Sequence, residues 1–423
     1  MTSDTVAAPP EAQQADHGHN LIDVFRGQPR AVWVTAFAAI IAFMGIGLVD
    51  PILNSIAEAL KAPPEKLTLL FGVYLGVQVL AMLITGACAS RFGPKRTLTV
   101  GLILIVLGAG ISAFGSNIDQ LIALRVLWGL GNALFMATAL AFIVGQARGG
   151  QQGAILLYEA ALGVGLAVGP LLGALLGEWT WRAPFGGTAL LMLIGAILCA
   201  IALPADGPRS ERAAVGILDP LKALKNRTLL INSLGSAFYT AAFFTVIAWS
   251  PISMGLRPIT AGMIFFGWGI LTAVSGVFLA PRIARAVGDR RGVQGAIVVY
   301  AAVMAVAAIG VLEHQVWLIG LAVAVSGIPS GVLNTLFTGV AMSATGPETP
   351  RSVASAGYNF FRWMGGAVSA VLVAHLATWF GGPAPYWFAA AYCLVAVVLL
   401  VVARDRNRRS VPEEAALVGA EEF

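Results

Sequence analysis

The chain has 423 residues, 58% of them apolar and only 11% charged, with a formal net charge of +5 and a mean hydropathy of +0.83. A soluble protein carries about 25% charged residues, so a water-soluble globule of this length is excluded. No basic, aromatic-interleaved polar segment supports nucleic-acid binding, and Cys88, Cys199 and Cys393 fall in or beside apolar runs without the spacing of metal ligands. The composition is that of a polytopic integral membrane protein, expected to be all-α from the long apolar runs below, with no cofactor and no metal expected.

Residues 1–30 are polar and lack the short apolar core and cleavage site of a signal peptide, so the first apolar run is read as a retained anchor. A helix crosses the bilayer core with about 20 apolar residues. Twelve such windows follow, at roughly 31–58, 67–89, 97–116, 120–145, 153–177, 184–203, 228–252, 261–281, 293–312, 316–343, 353–379 and 385–403. The longest polar connection, 204–227, divides them into two six-helix bundles, 31–203 and 228–403, and 404–423 forms a second tail. An N-terminus in the cytoplasm collects 20 Lys and Arg on that side against four opposite, which places both termini in the cytoplasm. The halves echo each other at an offset of 200: Asp50-Pro51 and Ser250-Pro251, Tyr158-Glu159 and Tyr358-Asn359, Gly165 and Gly365. Internal duplication in an apolar chain is a transporter signature, with the site between the repeats.

In the first span Asp50, Asn54 and Glu58 share a helical face, with Asp50 in the outer half. A carboxylate there either handles a proton or caps an exposed helix before Pro51. The turn after the second span reads Gly86-Ala-Cys-Ala-Ser90-Arg91-Phe-Gly93-Pro-Lys95-Arg96. It resembles the signature loop of the major facilitator superfamily, usually G-x-x-x-D-R-x-G-R-K/R-K/R. It departs from that loop at Ser90, where the family usually has aspartate, and at Pro94. The glycines allow a tight turn, and Arg91, Lys95 and Arg96 hold it at the cytoplasmic face. The fourth span carries Arg125, Trp128, Gly129 and Asn132, similar to the family's R-x-x-x-G pattern on that helix. An arginine in the membrane needs water or a partner. Asp50, at about the same depth, is the expected partner, and snorkelling to the surface is the alternative.

The fifth span contains Gly165-Leu-Ala-Val-Gly169-Pro170-Leu-Leu-Gly173-Ala174. It resembles the G-x-x-x-G-P-x-x-G-G motif of the antiporter branches of the same superfamily, with Ala174 in place of the last glycine. Gly165, Gly169 and Gly173 line one face and admit a neighbouring backbone, and Pro170 favours a bend. Glu159, in the inner half of this span, is a second proton or cation site, or a structural carboxylate paired with cytoplasmic basic residues. Arg362, near mid-depth in the eleventh span with Tyr358, Gly366 and Ser369 on its face, is expected to meet an anionic or carbonyl group of a substrate, or backbone carbonyls. His375, on nearly the opposite face, is read as a packing residue. Tyr74, Gln78, Asn132, Tyr239, Trp268, Asn334 and Asn359, with Asn54, are the remaining cavity candidates.

The resemblance implies two pseudo-symmetric six-helix bundles around a central cavity. It also implies proton-coupled efflux of small amphipathic compounds by alternating access, and the position of Asp50, Arg125 and Glu159 in the apolar spans makes them the expected proton-coupling residues. The implied setting is a monomer in the lipid bilayer of the cell membrane. A proton symporter or a uniporter of a metabolite is the rival within transport. An integral-membrane enzyme would need clustered nucleophiles, paired acids or metal ligands that the spans do not offer, and a non-transporting scaffold would leave Asp50, Arg125 and Arg362 without use. No G-x-x-x-x-G-K-S/T stretch occurs, so ATP is not the direct energy source.

Overall fold

The computed structural model describes residues 27–48, 52–148, 150–207, 216–344 and 349–409. These are helical between short turns: α1 (Arg30–Gly47), α2 (Leu53–Leu60), α3 (Pro64–Phe92), α4 (Pro94–Ser112), α5 (Ile118–Gln146), α6 (Gly150–Gly177), α7 (Ala183–Ala202), α8 (Asp219–Ala223), α9 (Arg227–Met254), α10 (Pro258–Val274), α11 (Ala280–Val287), α12 (Asp289–Leu312), α13 (Val316–Ser343), α14 (Arg351–Phe380) and α15 (Ala384–Arg409). A five-residue π-turn, Ser275–Leu279, joins α10 and α11 into one rod. Among the described residues, twelve segments are long and apolar enough to cross a membrane. Large apolar side chains stand bare on the outside of the bundles, Ile201 at 77% and Leu80 at 67% exposure, as a surface facing lipid requires.

Helix ends follow local chemistry. Asn117 and Asn226 cap α5 and α9, their side chains accepting the N–H of Gln120 at 2.8 Å and of Leu229 at 3.1 Å. Proline opens α3, α4 and α10, where a missing N–H costs nothing. The α3–α4 and α11–α12 turns are the same device: Gly93 (φ 97, ψ 152) and Gly288 (φ 81, ψ 156) adopt a backbone that side chains resist. This repeat, at an offset of 195, escapes a reading made at an offset of 200. The expected first span, 31–58, is instead two helices. The break falls between Gly47 and Leu53; Asp50 and Pro51 lie outside the described residues, and in the sequence the residue before a proline is disfavoured in the helical region. In the second half Pro251 is accommodated inside α9.

Hydrogen bonds set residues 28 beside 148, 95 beside 206, and 226 beside 344. The spans therefore alternate in direction, and both halves begin and end at one face, the linker end. The Asp206 carboxylate accepts the backbone N–H groups of Lys95 at 2.9 Å and Arg96 at 3.1 Å, which ties the linker to the first turn of α4. Further on, the Pro220 carbonyl of α8 lies against α14, where a Cβ on Gly357 would stand 2.6 Å from it. Lys222 and the Gly216 amide hold the half-buried Asp219 carboxyl below the usual carboxylate range.

Helices α1–α7 form one bundle and α9–α15 the other. The two meet chiefly where α6 packs on α10 and α3 on α14. At the linker end, second-bundle side chains reach first-bundle backbone: Arg351 donates to the Val144 carbonyl at 3.2 Å and Ser355 to that of Ala137 at 3.1 Å.

Candidate functional site

Glu159 stands nine residues into α6 and Arg362 eleven residues into α14. At 1.5 Å per residue both lie about 14–17 Å from the linker end, near the middle of a membrane roughly 30 Å thick. They meet as a fork across the bundle interface. Arg362 Nη1 donates to Glu159 Oε1 at 3.1 Å and Nη2 to Oε2 at 3.3 Å, with the residues 4% and 3% exposed. Thr338 of α13 completes the group: its hydroxyl donates to Glu159 Oε1 at 2.6 Å and accepts from Arg362 Nη1 at 3.2 Å. Tyr358, one turn before Arg362, lies 3.3 Å from Thr338 and accepts from Ser236 of α9. Glu159 is therefore not paired with basic residues at the membrane surface, and Arg362 is turned to a carboxylate rather than to backbone carbonyls. Two-point charge-assisted hydrogen bonding in a dry interface is strong in the paired state. A proton on Glu159 would remove its negative half.

Aromatic rings close around the pair. Phe43 of α1 stacks on Trp363 of α14 across the interface, with centroids 6.4 Å apart and planes 14° apart. Tyr158 meets Phe43 edge-on at 5.5 Å, and Phe244 meets Trp363 at 5.8 Å. The Asn359 amide donates to the Ser355 carbonyl at 3.0 Å. Its Oδ1, like Trp363 Nε1, is buried with no partner among the described residues. The site thus presents an apolar wall with a few open hydrogen-bonding positions.

Arg125 occupies a second charged position, toward the opposite end of the first bundle. It is 4% exposed, so it does not snorkel, and its guanidinium lies over the rings of Trp128 (4.5 Å), Phe185 (5.6 Å) and Tyr74 (5.7 Å). Asn132 hydrogen-bonds the Tyr74 hydroxyl, and Gln78 Nε2 reaches Met136 Sδ at 3.5 Å, so Tyr74, Gln78 and Asn132 form one buried polar patch. Asp50 and the Asn54 side chain lie outside the described residues. Tyr239, Trp268 and Asn334 sit inside the second bundle. Tyr239 stacks on Phe337 and bonds the Ser330 carbonyl at 3.3 Å, Trp268 packs on Phe243 at 5.1 Å, and Asn334 Nδ2 is buried without a partner among the described residues. His375, on an exposed face of α14, lies against Trp379 at 5.4 Å with Nδ1 3.0 Å from the Val371 carbonyl.

The glycine motif meets the backbone of α1. A Cβ on Gly165 or Gly169 would stand 2.5 Å from the carbonyl oxygens of Ile40 and Met44, and one on Gly173 would run into the Leu48 carbonyl. Pro170 packs on Gly47, where a Cβ would be 3.0 Å away. Another face of α6 meets the second bundle: a Cβ on Gly163 would stand 2.8 Å from the Ala273 amide of α10. In the loop motif, Gly93 turns the chain, Lys95 also donates to the Leu203 carbonyl at 2.8 Å, Arg91 lies 5.5 Å from the Phe92 ring, and Gly86 is buried in the last turns of α3.

Thr338, Phe43 and Trp363 escape the sequence reading. Glu159 and Arg362 are each conspicuous in the sequence as ionisable residues inside apolar spans, but their pairing is seen only in the structure. Nothing in the sequence marks Thr338 among the chain's many membrane threonines.

Twelve spans in two bundles, with a buried ion pair bridging them at mid-depth, define a two-bundle membrane transporter. The chain belongs to the Major Facilitator Superfamily, which it matches over residues 35–370 and 253–421. It is 42% identical over 377 residues to the multidrug efflux protein YfmO of Bacillus subtilis (strain 168), covering 89% of this chain and 94% of that protein. It is 30% identical over 384 residues to a chloramphenicol resistance protein of Streptomyces lividans, covering 85% and 91%. The fold is shared with the crystal structure of the human organic anion transporter MFSD10 (TETRAN), at a TM-score of 0.71 and 17% identity over 88% of this chain and 99% of that one. The protein is a multi-pass membrane transporter and not an enzyme.

Proposed function

We propose that the chain exports small amphipathic compounds in exchange for protons. It acts as a monomer in the cell membrane, with the linker end and both termini in the cytoplasm. The observation that carries this reading is the Glu159–Arg362 fork, which ties one bundle to the other through a group that a proton can neutralise. With Glu159 protonated the Coulombic tie is gone, and the remaining Arg362 charge favours water, which favours parting of the bundles at the linker end. Loss of the proton to the cytoplasm restores the tie. Asp50 and Arg125 form an outer station on the same route. The bundles, 31–203 and 228–403, rock about the α6–α10 and α3–α14 contacts. The aromatic wall, with Asn359 and Trp363 as its open polar groups, suits cargo that is largely apolar, and the efflux relatives support drug-like compounds.

The test is reconstitution in proteoliposomes with a pH dye and a panel of cationic, neutral and anionic lipophilic compounds. Wild type should show compound-triggered proton movement, and Glu159→Gln should abolish it while cargo binding persists. Loss confined to Asp50→Asn would move the coupling to the outer station. Undiminished movement in both variants would remove the scheme.

A further inference from the structure

At the linker end a cavity of about 280 Å³ opens between the bundles. Ser90 of α3 and Thr138 and Gln146 of α5 line its first-bundle wall, and Arg351 and Ser352 of α14 line the other. Each of these side chains can donate a hydrogen bond, and no carboxylate lines the cavity among the described residues. Arg351 commits one N–H to the Val144 carbonyl and has four more. The 30-residue α14 begins at the same place with no side-chain cap, so the positive end of its dipole adds to the arginine. An independent observation points to a ligand. Thr138, only 1% exposed, lines this cavity, and its hydroxyl has no hydrogen-bond partner among the described residues, a net loss unless something reaches it. The Ser90 hydroxyl is turned back onto the Ala87 carbonyl at 3.0 Å. Aspartate in its place would put a carboxylate in this cavity, whereas serine leaves the positive wall unanswered by the chain.

We infer that the cavity binds an oxyanion of the phosphate type, which supplies from outside the negative group that residue 90 does not. A phospholipid headgroup and free phosphate offer the same chemistry. Because both bundles contribute donors, the anion binds the arrangement in which the linker ends are together and shifts the population toward it. This site is separate from the Glu159–Arg362 pair, and its test reads binding, not transport.

Thermal midpoints of the purified protein are titrated with sodium phosphate at constant ionic strength in detergent. In a second arm they are compared in nanodiscs of phosphatidylglycerol and of phosphatidylcholine. Wild type and Ser90→Ala, which keeps the cavity open, should show a saturable rise in Tm with the anion. Arg351→Gln should weaken apparent binding about ten-fold or more. Ser90→Asp should start from a raised Tm and show no further response. A rise with free phosphate in detergent assigns the soluble anion, and a rise confined to phosphatidylglycerol discs assigns the headgroup. An equal response in all four proteins, or none in either arm, overturns the inference. Tm without anion identifies any variant that merely folds badly, and Arg351→Gln and Ser90→Asp act through different atoms, so either one decides.

Discussion

A guanidinium and a carboxylate at 4% and 3% exposure have each lost their water, and that loss is offset only while they face each other. Removing one partner leaves the other charged and dry, at a cost of about 3–5 kcal/mol, whereas replacing both with apolar groups of similar size is often neutral. Arg362→Met should therefore lower the thermal midpoint in detergent sharply, and Glu159→Met combined with Arg362→Met should recover most of the loss. A double variant as unstable as the single one would show that the pair is not the main interaction of either side chain. Both charges are conspicuous in the sequence because ionisable residues inside apolar spans are rare. Their partnership is not, because it depends on the angle at which α6 and α14 face each other across two bundles. Thr338 is less visible still: a threonine that bonds its own helix and one that bonds a carboxylate 179 positions away look identical in sequence.

Helix α6 carries two kinds of contact. The face of Gly165, Gly169 and Gly173 lies on α1 within one bundle, and Gly163 meets α10 of the other. A methyl group on Gly169 would collide with the Met44 carbonyl, a main-chain atom that moves only with its helix. Gly169→Ala should cost about 1–3 kcal/mol through overpacking. Gly267→Ala on α10, where nothing lies within 4 Å of the new atom, should be neutral or slightly stabilising. Thermal unfolding followed by size-exclusion chromatography compares the two, and equal effects would contradict the packing account. The four-residue glycine spacing is plain in the sequence; the identity of the backbone it receives is not. The π-turn at Ser275–Leu279 is equally hidden, whereas the break between Gly47 and Leu53 agrees with one of the two sequence readings of the first span. Hydropathy measures length and polarity, and is blind to a break or an extra residue inside an apolar run.

At the scale of the whole molecule, the count of twelve spans and their grouping into sixes are legible because bilayer thickness sets helix length. The sidedness of the termini rests on the positive-inside rule. A single cysteine introduced at exposed His314 in a cysteine-free background should react with an impermeant maleimide on intact cells, and one at exposed Lys225 only after permeabilisation. The reverse pattern would invert the topology. The linker-end contacts have a further property. Arg351 and Ser355 of the second bundle bind the main-chain oxygens of Val144 and Ala137 in the first, and a main-chain oxygen is present whatever residue bears it. Sequence drift at 137 or 144 therefore leaves the acceptor in place, while one codon change at 351 or 355 deletes the donor. Only one of the two halves can lose this closure by a point mutation.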